Sequence, residues 1–332
     1  MMLDFAFGSC SGLGRGPRQL GVAWTALLLA ATAGRPAAGQ ARLQVERDET
    51  AVSVRMGDQL CLRYRFGNVP YKPYVEQLLT PQGVNVLRDA PHDHLHHHAL
   101  MFAVAVEGVN FWEEQRAPGR QARRGTGRAA VDETDGISQV RLSQQLDWID
   151  PRNEQPLLQE TRTIVVYAGP TQDATLVTWQ ARLAVPAGRT AATLTGSPYF
   201  GLGVRFVESM DDGGQFQNAN GATRVAGTNN TRSAWCAYQA LANGKPVTLA
   251  MFDHPENVRF PATWYTMGDK PGEFAYLSGT LNLKQQPLTI AADHPLALRY
   301  GVALWDGQVA AGAIEKAYRW WVARPPAADV AP

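Results

Sequence analysis

From about residue 42 onward, apolar and polar positions follow one another in short runs. LSQQLDW and TLVTWQARLAV place polar residues at every second position, the signature of half-buried antiparallel strands. About a dozen such runs, among them VSVRM, LCLRYRF, ALMFAVAV, ETRTIVVYA and LALRYGVALW, are separated by Gly, Pro, Asn and Asp. Only Gln308–Val322 spaces its apolar residues as a helix does. Without regular strand–helix alternation, the pattern predicts an all-β protein. The expected architecture is one large antiparallel β-sandwich over 42–324 with a single C-terminal helix. Residues 325–332 read as a disordered tail. No linker divides this stretch, and no repeat of fixed period runs through it.

Composition changes little. A hydrophobic share of 45% and a charged share of 18% describe a globular chain, not a disordered one. The net charge of +1 and the lack of a basic stripe give no sign of a nucleic-acid partner. Arg116–Arg128 (RAPGRQARRGTGR) is a local basic excess, Gly-rich and non-periodic, and is expected to be an exposed loop.

The first forty residues stand apart. Arg15 and Arg18 precede LGVAWTALLLAATA (Leu20–Ala33), an apolar run of signal-peptide length, shorter than the ~20 residues a membrane-spanning helix needs. Small residues after it offer cleavage following Gly39 or Ala41. The mature protein is expected to be exported, periplasmic or secreted, without a membrane span. Cys10 would leave with the leader. Cys61 and Cys236 would remain where a disulfide can persist, although each sits in an apolar stretch suited to a buried free thiol.

The densest candidate chemistry is HDHLHHH, which holds five of the seven histidines, His92, His94, His96, His97 and His98. Read as extended backbone, it sends His92, His94, His96 and His98 to one side and His97 to the other. Histidine titrates near neutrality and suits proton transfer. A divalent metal is an alternative, held by His92, His94 and His96, with Asp93, Glu113, Asp253, His254 or His294 completing the set. The spacing fits neither HExxH nor a Cys/His zinc pattern. A second cluster follows the run VTLAMF: Asp253, His254, Asn257, Arg259 and Trp264 lie on a proline-rich loop. A carboxylate, an amide and a guanidinium there can bond sugar hydroxyls while an aromatic face stacks on the ring. Glu160 and Arg162 share one side of a strand, either pairing together or pointing into a pocket. Arg205 lies close to a Gly pair that would admit a ligand.

Three blocks carry a resemblance. PYVEQLLTPQGVNVLRDAP, HDHLHHHALMFAVAVEGVNFWEE and AMFDHPENVRFPATWYT resemble, in order, blocks of a bacterial family of unknown function, domain 6807, often labelled methane oxygenase PmoA. YFGLGVRF fits a further segment, so the likeness covers about residues 60–310. It implies a galactose-mutarotase-like supersandwich and an exported, carbohydrate-related role. The oxygenase label does not suit a chain lacking membrane spans after residue 40. By position, His96 and His97 match the family's His-His, and Asp253, His254, Asn257, Arg259 and Trp264 match its later block. Where the family has Arg-Gly after His-His, this chain has His98-Ala99, which removes a fixed cation.

The expectation is therefore a carbohydrate-active protein acting on a sugar or glycoside. His96, His97, Asp253 and His254 would exchange protons, and Glu160, Arg162, Arg205, Asn257, Arg259 and Trp264 would bind substrate. No cofactor is expected beyond a possible divalent metal. A non-catalytic glycan-binding module and a metal-dependent enzyme are the alternatives. The two clusters are expected to line one pocket.

Overall fold

A computed structural model describes residues 42–168 and 173–327. The expected leader, with Cys10 and the cleavage sites, lies outside the described residues, as do 328–332. The described residues form one compact unit.

The alternating runs become strands of two large antiparallel sheets. The first, of nine strands, runs in space Leu43–Arg47, Ala51–Met56, Gln59–Arg65, Tyr74–Leu78, Leu100–Ala103, Gly201–Arg205, Tyr276–Thr280, Thr263–Met267, Thr231–Arg232. The second has eight strands: Gln215–Asn218, Trp235–Ala242, Lys245–Asp253, Leu296–Asp306, Ala174–Ala184, Pro156–Tyr167, Ile137–Ile149, Arg120–Thr134. A four-stranded sheet orders Leu288–Ala291, Ala191–Thr195, Ala105–Val106 and Val109–Asn110. The class read from periodicity is the one observed.

The two large sheets bury one core between them, where Phe102 meets Trp148 across the interface with ring centroids 6.1 Å apart. The C-terminal helix, Ala311–Val322, covers the other side of the eight-stranded sheet with Ile314, Tyr318 and Trp321. Gly301 permits that approach: a Cβ there would stand 2.8 Å from Phe252 and 2.9 Å from Trp321. After the helix, the chain is held as far as Ala327, whose N–H and C=O both bond the Gln180 amide. The start of the expected disordered tail is thus pinned.

Arg116–Arg128 departs from the expected loop. From Arg120 onward it is strand, paired with Ile137–Ile149 as a long hairpin. Register shifts between Arg124 and Arg128, where Gly125 and Gly127 take φ of 72° and 65°. These glycines supply a bulge that hides the strand's periodicity in sequence. Cys61 and Cys236 are both free and buried.

Candidate functional site

Local hydrogen bonding decides how the histidines are arranged. Residues 91–97 form two successive turns: His94 N–H donates to the Pro91 carbonyl and His97 N–H to that of His94, each at 2.9 Å. Proximity therefore follows i,i+3 and not the i,i+2 of a strand. His94 and His97 stack with centroids 4.6 Å apart, and His96 meets His97 edge-on at 4.7 Å. His92 stays exposed. His98 leaves the group: Nδ1 lies 2.8 Å from Asp89 Oδ1 and Nε2 lies 2.9 Å from Glu114 Oε1.

These turns lie against the nine-stranded sheet. Residues opposed in an antiparallel pair share a face. Arg205, Tyr276 and Met267 are in register across three strands, as are Gly203, Ser278 and Tyr265. The other face carries Phe102, Leu202, Val204, Leu277 and Trp264, all in the sandwich core. The site thus occupies the face turned away from that core. Gly203 is required there, because a Cβ would come within 1.7 Å of the Tyr276 hydroxyl oxygen.

The wall opposite comes from the segment after Asn110. Its side-chain oxygen accepts from the N–H of Trp112 at 2.8 Å and of Glu113 at 3.0 Å, fixing a turn. Trp112 stacks on Phe200 at 5.5 Å with 9° between planes. Tyr199 Oη donates to Glu113 Oε1 at 2.6 Å, and Asn110 Nδ2 donates to Oε2 at 3.2 Å. The result is a cavity of about 470 Å³, lined by His94, His96, His97, Trp112, Glu113, Gln115, Tyr199, Tyr265, Met267, Phe274 and Tyr276. That is within the ~300–1,000 Å³ usual for small-molecule clefts. Another hollow of about 510 Å³, along Asp211–Phe216 and Gly268–Pro271, has a single aromatic side chain, Phe216, and no histidine.

Electrostatics differ among His96, His97 and His98. Burial, helped by His96, His94 and Arg205, pushes His97 down to about 2, so it is a neutral imidazole. Its Nδ1 is buried without a partner. His96 is also lowered, first by burial and then by Lys72 and His94. His94 Nδ1 lies 3.0 Å from Asp93 Oδ2, which orients the ring and leaves Nε2 as its free nitrogen. For His98 burial works against the charge, yet the bonds to Asp89 and Glu114 raise its pKa. The two carboxylates therefore favour a positive charge on His98, at the position where the resemblance indicated that a fixed cation was lost.

The expected partnership between the clusters does not form. None of Asp253, His254, Asn257, Arg259 and Trp264 lines the cavity. Asp253 is the last residue of its strand, in the eight-stranded sheet, and its carboxylate is taken by Asn257 at 2.6 Å. His254 faces Arg299 Nη1 at 3.3 Å and packs edge-on against Trp321. Arg259 donates to the carbonyls of Leu281, Gln286 and Pro287. Trp264 points into the core, and Nε1 donates to the Ser233 carbonyl at 2.8 Å. Its neighbour Tyr265 is the cavity residue, since one step along a strand changes the face.

Glu160 and Arg162 pair with each other: Nε–Oε1 is 2.7 Å and Nη2–Oε2 is 2.8 Å. Trp148, Gln121 and the Pro73 carbonyl complete a buried network, beside a void of only about 10 Å³. Arg205 lies behind the cavity with its guanidinium carbon 3.7 Å from the Phe274 ring centroid. Sequence reasoning missed Tyr199, Tyr265, Phe274 and Tyr276. The signal in sequence was aromatic content in and beside the strands, which core residues share. Among the described residues no three His, Cys, Asp or Glu side chains are grouped so as to hold a metal ion, and no helix is long and apolar enough to cross a membrane.

Fold and cavity together define a β-sandwich protein with an aromatic, histidine-bearing cleft on one sheet face. Residues 51–319 match the family of unknown function DUF6807, and the chain belongs to that family. No curated protein matches it. Among solved structures it is similar to YeaD of Salmonella typhimurium, assigned as a mutarotase, at 13% identity and a TM-score of 0.36 over 80% of this chain and 94% of that one. It is also similar to a TPR-domain containing protein of Parabacteroides distasonis, at 9% identity and a TM-score of 0.27. That match covers 85% of this chain and 50% of the other. Both scores are too low to inform the chemistry of the cleft.

Proposed function

We propose that the protein is carbohydrate-active, binding a sugar in the aromatic cavity and exchanging protons with it through the histidine turns. One observation carries this reading: aromatic rings, a carboxylate and three imidazoles line a single open cavity of about 470 Å³. The half-buried Tyr199 and Tyr265 offer faces for the C–H surface of a pyranose, and Glu113, Gln115 and the imidazoles offer hydroxyl partners. His94, oriented by Asp93, is the best-placed proton carrier. His97 is held neutral and serves as a hydrogen-bond partner, and the half-buried His96 stands edge-on to both rings. Export to the periplasm or beyond, inferred from Leu20–Ala33, belongs to the same proposal.

Proton transfer by a positioned group contributes ~10²–10⁴-fold. On a sugar identified by screening, His94→Gln is therefore expected to lower turnover at least ~100-fold while the protein stays folded. Full turnover in His94→Gln, His96→Gln and His97→Gln alike would remove the catalytic assignment. A non-catalytic glycan-binding module is favoured by one feature, the burial that keeps His97 neutral near neutral pH. Sugar binding without product would establish it.

A further inference from the structure

The lining of the cavity has a consistent electrical character. It includes no Lys or Arg, one carboxylate, Glu113, and the rings of Trp112, Tyr199, Tyr265, Phe274 and Tyr276. Aromatic faces are negative, and a cation over them is attracted more strongly when desolvated. Two cations, Lys72 and Arg205, stand behind the wall, Arg205 over the Phe274 ring, and both face carboxylates of their own. Lys72 Nζ lies 2.5 Å from Glu114, and Arg205 Nη2 lies 3.7 Å from Asp93 and 3.8 Å from Asp211. Each Glu113 oxygen accepts one hydrogen bond from the protein, from Tyr199 and from Asn110. A carboxylate has about four acceptor sites, so the group is held in place with capacity left for a ligand donor.

We infer that the sugar carries a protonated amine, which sits among the aromatic faces and bonds Glu113. This deepens the reading of the cavity as a sugar site and rests on it. Glu113 is then the specificity-determining residue: it selects a hexosamine over the matching hexose and disfavours a uronate.

The test is calorimetric titration at pH 6 of the folded protein with matched hexose and hexosamine pairs in the gluco, galacto and manno series, together with glucuronate. In the best-bound series the hexosamine should bind about ten-fold more tightly than the hexose, on the scale of a desolvated cation–π contact. Glu113→Gln should cut that ratio at least about five-fold, with the circular-dichroism spectrum unchanged. Equal affinity within the pair, or tighter binding of glucuronate, overturns the inference and leaves the sugar site standing. Binding of none of these sugars overturns both.

Discussion

Asp253 shows most sharply that the second cluster supports the fold and does not line the cleft. It is 2% exposed; the Asn257 amide donates to it at 2.6 Å, and the backbone N–H groups of Ala262 and His254 also bond its carboxylate. Burial prevails over those bonds and pushes the carboxyl up from 3.8 to about 6. The folded pKa is above the unfolded one, so the native state prefers the protonated acid. Below pH 3.8 the group costs nothing; as pH rises to about 6 the native state loses stability. At ~1.4 kcal/mol per unit, the loss above pH 6 is roughly 3 kcal/mol. Asp253→Asn removes the charge and keeps an Oδ1 acceptor for Asn257. Urea unfolding of both proteins from pH 4 to pH 8 should show a small difference at the acid end. The variant should become the more stable by up to roughly 3 kcal/mol at pH 7.5. A variant less stable at pH 7.5, or a gain independent of pH, would refute the assignment.

Other consequences can be measured in the same way. Glu160→Gln leaves Arg162 with an uncompensated buried charge and should cost ~3–5 kcal/mol in urea unfolding. Gly203→Ala pushes a methyl group into the Tyr276 hydroxyl, so sugar affinity in titration should fall at least about ten-fold. His98 has a raised pKa, and its contribution is therefore full below the model-peptide value of 6.5 and lost as pH rises above it. The stability advantage of wild type over His98→Gln should shrink between pH 6 and pH 8.5, read from urea midpoints. An advantage that grew with pH would contradict the two-carboxylate clamp.

Fold class was legible because strand periodicity survives wherever one face is buried, as in Ala174–Ala184. It failed at Arg120–Thr134, where a glycine bulge and an exposed arginine face erase the alternation. The histidine cluster was legible as chemistry and not as geometry. Its turns bring together His94 and His97, which a strand reading sends to opposite faces. The DHPENVRF block was conspicuous because a Pro-rich loop with buried polar groups demands specific partners. Asn257 with Asp253 closes the loop on itself, and Arg259 ties it to the carbonyls of Leu281, Gln286 and Pro287. Trp264 and Tyr265 differ by one position, and only the register with Gly279 and Ser278 tells which faces the cleft.

The central claim is that the cavity over Gly203 and Tyr276 is a sugar site. A crystal structure with the tightest-binding hexose or hexosamine tests it most directly. The account predicts a pyranose ring against Tyr199 or Tyr265, with its polar groups in hydrogen-bond reach of Glu113 and the His94–His97 turns. A sugar seated instead on the Asp253–Arg259 loop, with the cavity empty, would contradict it.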